Sequence, residues 1–112
     1  MEGIVDFEDW TKLDLKVAEV KQVEDIESAD KLYKIRLDVG ELGERIVCAG
    51  LKEFYSKEDL EGKKVIYFSN LKPRKLMGIE SQGMLLAAST KDHKKVVLIC
   101  PEKDIDNGSS IS

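Results

Sequence analysis

Tyr33-Lys34-Ile35-Arg36-Leu37-Asp38-Val39 alternates without a break, with Tyr33, Ile35, Leu37 and Val39 on one side and Lys34, Arg36 and Asp38 on the other. Side chains of a β-strand point to opposite faces at each step, so the pattern predicts a strand with one face in a core and one in water. Gly40 to Gly43 follows as a hairpin turn, and Arg45 to Ala49 returns as a third strand. Upstream, Leu13, Leu15 and Val17 occupy odd positions while Val20 continues on an even one. The apolar side therefore changes around Ala18 and Glu19, which predicts a bulge in a long, coiled first strand. Downstream, Val65 to Phe68, Met84 to Ala88 and Val96 to Ile99 are compact apolar runs of the kind buried strands carry.

Two short helices punctuate these strands. Asp6 to Lys12 reads as an opening helix, with Asp6 at the N-cap and Phe7 and Trp10 three apart on one face. Ser56-Lys57-Glu58-Asp59 has capping-box spacing with Asp in place of Glu, and opens a helix ending near Gly62. An all-β chain of five or six short strands, with one helix between the third and fourth, matches the five-stranded Greek-key barrel of the OB-fold. That barrel binds oligonucleotides on strands two and three and the neighbouring loops. Periodicity alone leaves a small sandwich or an SH3-like barrel open. In the barrel reading Lys34 and Arg36 point outward from strand two, and Arg45 is expected near them across the hairpin.

The 112 residues suit one domain, 1–112, and the mix of 42% apolar with 36% charged residues is that of a soluble globular protein. No apolar run approaches the roughly 20 residues of a membrane span, and the acidic start Met1-Glu2-Gly3-Ile4-Val5-Asp6 does not resemble a signal peptide. The expected location is cytoplasmic, with no membrane partner. Cys48 and Cys100 stand far apart without a Cys-x-x-Cys, and His93 is the only histidine. Neither a zinc site nor a histidine-based catalytic constellation follows from such a set, so no metal, no cofactor and no catalysis are expected. Both cysteines sit in apolar runs and are expected as reduced core residues.

Charge is distributed unevenly. Residues 1–61 carry 9 Lys and Arg against 17 Asp and Glu, residues 62–79 carry 5 against none, and residues 80–112 carry 4 against 5. The chain as a whole is at −4. A polyanion is held by contacts within about a Debye length, roughly 8 to 10 Å in physiological salt, so a basic island in an acidic chain implies selective rather than indiscriminate binding.

That island runs into Asn70-Leu71-Lys72-Pro73-Arg74-Lys75-Leu76-Met77-Gly78-Ile79-Glu80-Ser81-Gln82-Gly83-Met84-Leu85-Leu86-Ala87-Ala88. This run closely resembles the tRNA-binding domain found at the carboxyl end of many methionyl-tRNA synthetases, in free-standing dimeric tRNA-binding proteins and in the synthetase-associated cytokine precursor. Leu13 to Val17, Ser28 to Tyr33, Asp38 to Gly40 and Ala49 to Leu51 share the resemblance, which thus covers nearly the whole chain. It implies an OB-fold, a homodimer, recognition of tRNA by shape at its outer corner, no catalysis, and a methionyl-tRNA synthetase catalytic subunit as partner. Two departures stand out. Where the family usually has Arg-Val-Gly this chain has Lys16-Val17-Ala18, which loses the planar fork of arginine and the backbone freedom of glycine.

The residue types suit RNA. Lys72, Arg74 and Lys75 would neutralise phosphates, with Arg74 fitted for a forked contact and Pro73 stiffening the loop. Asn70 and Ser81 carry small donors and acceptors suited to ribose hydroxyls or base edges, and Met84 offers a flexible apolar side chain for an unstacked base. A turn cap, a strand end and the core are the ordinary roles of these three. Lys31 lies where the family places the loop beside the groove, and Tyr33 belongs by its alternation to the core. Lys63, Lys64, Lys94 and Lys95 are expected as solvated charges. The non-RNA alternative is a CsaA-like dimeric export chaperone, similar in fold but lacking the Ser-x-Gly-Met pattern of Ser81 to Met84. Ile4, Val5, Phe7 and Trp10, together with Ile105 and Ile111 in the tail, are expected to form the dimer contact.

Overall fold

A computed structural model describes residues 2–112. The chain opens with helix α1 (Phe7–Thr11), followed by strand β1 (Leu15–Asp25), β2 (Tyr33–Asp38) and, after a 3-10 turn at Gly40–Leu42, β3 (Glu44–Ala49). Helix α2 (Lys57–Leu60) leads into β4 (Lys64–Phe68). Five short strands complete the fold: β5 (Arg74–Leu76) pairs with β6 (Ile79–Ser81), β7 (Met84–Leu85) with β4, and β8 (Ala87–Ser89) with β9 (Val96–Leu98). The antiparallel main sheet has the order β3-β2-β1-β4-β7. Its two edge strands, β3 and β7, approach each other, so the sheet curls into a nearly closed five-stranded barrel of the OB type.

The burial of β2 follows its alternation, with Tyr33, Ile35 and Leu37 inside. The Tyr33 hydroxyl, buried with its ring, donates to the Tyr55 carbonyl at 2.8 Å, as a buried phenol requires. Helix α2 is fixed by the expected capping box between Ser56 and Asp59, and its Leu60 is fully buried in the barrel core. Asp6 precedes α1 in extended backbone but caps it with no side-chain bond.

Strand β1 departs from expectation in an instructive way. The register shift lies between Val20 and Gln22, not at Ala18 and Glu19. The change of apolar side at Ala18 has another cause: β1 is covered on both faces. Leu15 and Val17 pack with Ile66, Trp10, Phe68 and Ile111 in a second cluster outside the barrel, while Ala18 and Val20 enter the barrel core. Ala18 has no positive φ, so alanine is accommodated there without strain.

The first half of β1 also gains a partner from the tail. Val17 donates to Ser109, Gly108 donates to Val17 and Ile111 donates to Leu15, at 2.9, 2.7 and 2.9 Å. Ile111 is therefore covered by its own barrel rather than left for a partner, whereas Ile105 is exposed. Cys48 is buried as expected, but Cys100 is exposed, because the chain leaves the sheet after Ile99 and bends at Glu102 and Lys103. Both cysteines are free.

Candidate nucleic-acid interface

The second part of the basic island, with Lys72, Arg74 and Lys75, belongs to a hairpin arm rather than a loop, while Lys64 opens β4. β5 and β6 pair as Arg74 with Ser81, Lys75 with Glu80 and Leu76 with Ile79, joined by the two residues Met77 and Gly78. Both have positive φ, 53° and 79°, as the type I′ turn of a tight hairpin demands. Residues directly opposite in an antiparallel pair share a face, so Arg74, Leu76, Ile79 and Ser81 lie on one side of the arm and Lys75 and Glu80 on the other.

The first of these faces meets β3. Ser81 is only 2% exposed, and its hydroxyl accepts from the Cys48 backbone N–H at 2.9 Å and donates to the Gly83 carbonyl at 3.3 Å. Gln82 continues the seam: its backbone N–H donates to the Ile46 carbonyl at 2.8 Å, and its side-chain carbonyl accepts from the Ile46 N–H at 2.9 Å. Side chains thus stand in for a strand ladder and satisfy the edge of β3. Behind the seam, the Tyr67 hydroxyl donates to the Gln82 carbonyl, and Gly83 adopts a φ of 107° where an added Cβ would lie 2.3 Å from the Phe68 carbonyl oxygen. Gly83 belongs to the Ser-x-Gly-Met pattern noted in the sequence, whereas Gln82, the variable position of that pattern, did not stand out as a site-former.

Along this seam the arm places Arg74 over the end of β3. Arg74 and Met84 line one cavity of about 260 Å³ together with Cys48, Ala49, Gly50 and Leu85. Met84 opens β7 yet is 43% exposed, so its side chain is available at the surface rather than spent in the core. Lys34 and Arg36 do point outward from β2, and Lys31 is exposed in the loop before it. The proximity of Lys34 opposes the effect of burial, which raises the Cys48 thiol above its ordinary value.

Arg45 is not with them. It stands opposite Leu37, hence on the core-side face at the rim of the barrel, where its guanidinium donates to the Leu42 carbonyl at 2.7 Å and lies beside Tyr67. Burial raises the Tyr67 phenol, and Arg45 pulls against that shift. Asn70 is likewise committed to the frame: its carbonyl accepts from the Asp14 N–H at 2.8 Å and its amide donates to the Lys12 carbonyl at 2.7 Å. This clamp fixes the start of the arm to the chain entering β1.

Ion pairing divides the surface cations into two sets. Lys12, Lys16, Lys21, Arg36, Lys52, Lys57 and Lys64 each have a carboxylate partner. Lys64, expected as a solvated charge, is held by Asp104 at 2.8 Å. Among the described residues Lys31, Lys34, Lys72, Arg74 and Lys75 form no ion pair. Their charge is open to an external anion.

A barrel of OB type with a free basic arm beside strand three is one part of the identification; the sequence comparison supplies the other. The family described as "Putative tRNA binding domain" matches residues 15–110. The chain belongs to this tRNA-binding domain family. A methionine–tRNA ligase from Caldanaerobacter subterraneus subsp. tengcongensis is 51% identical over 108 residues, which are 96% of this chain and 16% of that protein. The chain therefore spans only a small part of such relatives. Among solved structures, a MetRS-related protein from Pyrococcus horikoshii superimposes with a TM-score of 0.92 at 40% identity and covers all of both chains. The chaperone CsaA from Bacillus anthracis superimposes with a TM-score of 0.89 at 29% identity, over 98% of this chain and all of that one. Fold alone does not separate the two kinds of relative; sequence identity favours the synthetase type. In this tRNA-binding domain the arm and the outward face of β2 both carry cations without ion pairs among the described residues, Lys72, Arg74 and Lys75 on the one and Lys34 on the other.

Proposed function

We propose that this domain binds tRNA by shape and does no chemistry itself, raising the tRNA affinity of a methionyl-tRNA synthetase catalytic subunit to which it is joined or bound. The observation carrying this reading is the set of unpaired cations, Lys72, Arg74 and Lys75, on an arm anchored to β3. Arg74, with Met84 beside it, forms the centre of the contact; Lys31 and Lys34 extend it across β2, and Arg36 joins them by exchanging Glu44, 3.6 Å away, for a phosphate. Asn70, Ser81 and Arg45 act by holding the arm and the rim in place. The domain, 1–112, works in the cytoplasm, where its two free thiols stay reduced.

The same reading includes a homodimer. Ile4, Val5 and Phe7 are exposed on and before a helix of five residues, too short to be stable alone, and a second copy would cover them. Light scattering of wild type and Phe7→Glu over a wide concentration range tests this: a dimer that the substitution dissociates is expected, and a monomeric wild type rejects it. Deleting the tail would be a poor test, since residues 108–111 are part of the sheet.

The decisive functional experiment is a titration of several tRNAs at rising salt. Phosphate contacts release counterions and carry no sequence information, so affinity should fall steeply with salt and vary little with anticodon. Salt-independent binding, or capture of unfolded polypeptide in place of tRNA, favours the chaperone reading suggested by the CsaA likeness.

A further inference from the structure

Met77 sits at the tip of the arm in a conformation that does not suit it. The first residue of a type I′ turn has positive φ, and asparagine, aspartate or glycine fills the position in most hairpins. In that region a Cβ crowds the following carbonyl oxygen, and methionine has no short polar group with which to bond the backbone in compensation. Nor does packing account for the residue. Leu76 and Ile79, one step back, are half-buried, while Met77 is 53% exposed. Neither the turn nor the core explains a long apolar side chain here.

Its surroundings point to an occupant. β6 packs on β3, which leaves β5 as the outer strand, and Lys72, Arg74 and Lys75 lead along it toward the tip without ion pairs. Glu80 is the only acid between residues 62 and 91. An apolar tip on a cationic arm complements an anionic polymer that exposes flat apolar faces between its charges. Folded RNA has that chemistry wherever a stem ends or bends and a base is left uncovered. A negatively charged protein surface offers the charge without the exposed rings.

We propose that Met77 is a base-contacting residue: its thioether seats on the face of an unstacked base or an open base pair of the bound RNA, while Arg74 and Lys75 hold the flanking phosphates. The assignment rests on the tRNA reading above and adds to it an apolar contact that salt does not screen. Sulfur and methyl contacts with a ring contribute in the range that makes about a five- to tenfold difference in affinity.

The test compares Met77→Asn with Met77→Leu in the full chain. Asparagine suits the turn, so its melting temperature should equal or exceed that of wild type, while tRNA affinity falls about five- to tenfold with an unchanged salt slope. Leucine keeps apolar contact and should bind within about twofold of wild type. Methyl-labelled methionine gives a direct readout, because a methyl over a base moves upfield by ring current when tRNA is added, and Met77→Leu assigns the signal. Wild-type affinity in Met77→Asn, or a Met77 methyl that stays still while arm amides shift, overturns the proposal alone. Failure of the wild type to bind tRNA overturns the underlying reading, and this one with it.

Discussion

Two hairpins carry lysines without ion pairs among the described residues, and they are built on opposite principles. The loop Thr90 to Lys95 between β8 and β9 is bonded to itself. The Thr90 hydroxyl donates to Asp92 at 2.7 Å, the Lys94 N–H donates to Asp92 at 3.0 Å and the Lys95 N–H donates to the Thr90 hydroxyl at 3.2 Å. His93 takes positive φ there inside a turn closed by its own N–H to the Thr90 carbonyl at 2.9 Å. The arm has no such internal network at its tip; it is secured at its base by Ser81, Gln82 and Asn70. A carboxylate amid the lysines of one loop offsets their charge, while the arm presents cations on a scaffold fixed from behind. The two hairpins share a basic composition and differ in how their cations are placed: on the arm the one acid, Glu80, stands opposite Lys75, and Lys72 and Arg74 have no carboxylate partner among the described residues.

The largest effect expected from breaking this comparison lies at the arm's anchor. Gly83→Ala forces a Cβ to within 2.3 Å of the Phe68 carbonyl oxygen and 2.9 Å of the Tyr67 ring, at a φ of 107°. Overpacking and backbone strain together should cost roughly 3 kcal/mol or more in thermal or denaturant unfolding. Gly78→Ala, at the tip, has positive φ but nothing within 4 Å of the added carbon, and should cost only about 1 kcal/mol. If the two substitutions are equally mild, the arm is not anchored as described.

How much of this was legible beforehand differs by element. β2, the core position of Tyr33 and the Ser56–Asp59 capping box follow from period and spacing, because local geometry decides them. The arm was not, since Leu71 to Ile79 lacks clean alternation and Met77-Gly78 is not a usual type I′ pair. The seam of Ser81 and Gln82 leaves no periodic trace at all, because two side chains and a single backbone N–H make its bonds to a strand more than 30 residues away. Arg45 is a different case. It shares parity with Val47, which is buried, so its core-side placement was available from the alternation of β3 itself. The bulge was misplaced because burial on both faces of a strand imitates a change of side.

A middle-sized effect falls on binding. Arg74→Ala should weaken tRNA binding by about tenfold or more, the range of a charge-assisted hydrogen bond, and reduce the salt slope by about 1. Thermal stability should change by less than about 0.5 kcal/mol, since the side chain is exposed and unpaired. Lys95→Ala, in the self-bonded loop, should bind within about twofold of wild type. Equal losses in the two variants would mean that the interface is not on the arm.

The smallest effect is a response to acid. The Lys94 N–H first, and then the Thr90 hydroxyl, hold the Asp92 carboxyl below its ordinary range. A carboxylate with a depressed folded pKa adds stability that is fully present above its unfolded value and is lost as pH falls through the folded one. Lowering the pH below about 4 should therefore loosen Thr90 to Lys95, seen as falling amide protection at Lys94 and Lys95. The Met77-Gly78 turn has no carboxylate among its bonding groups and should keep its protection through the same window. Asp92→Ala should show the loosened loop already at neutral pH, with tRNA affinity unchanged. If instead the arm loosens first in acid, its rigidity depends on carboxylates around it, and the contrast between a self-neutralised loop and an externally anchored arm fails.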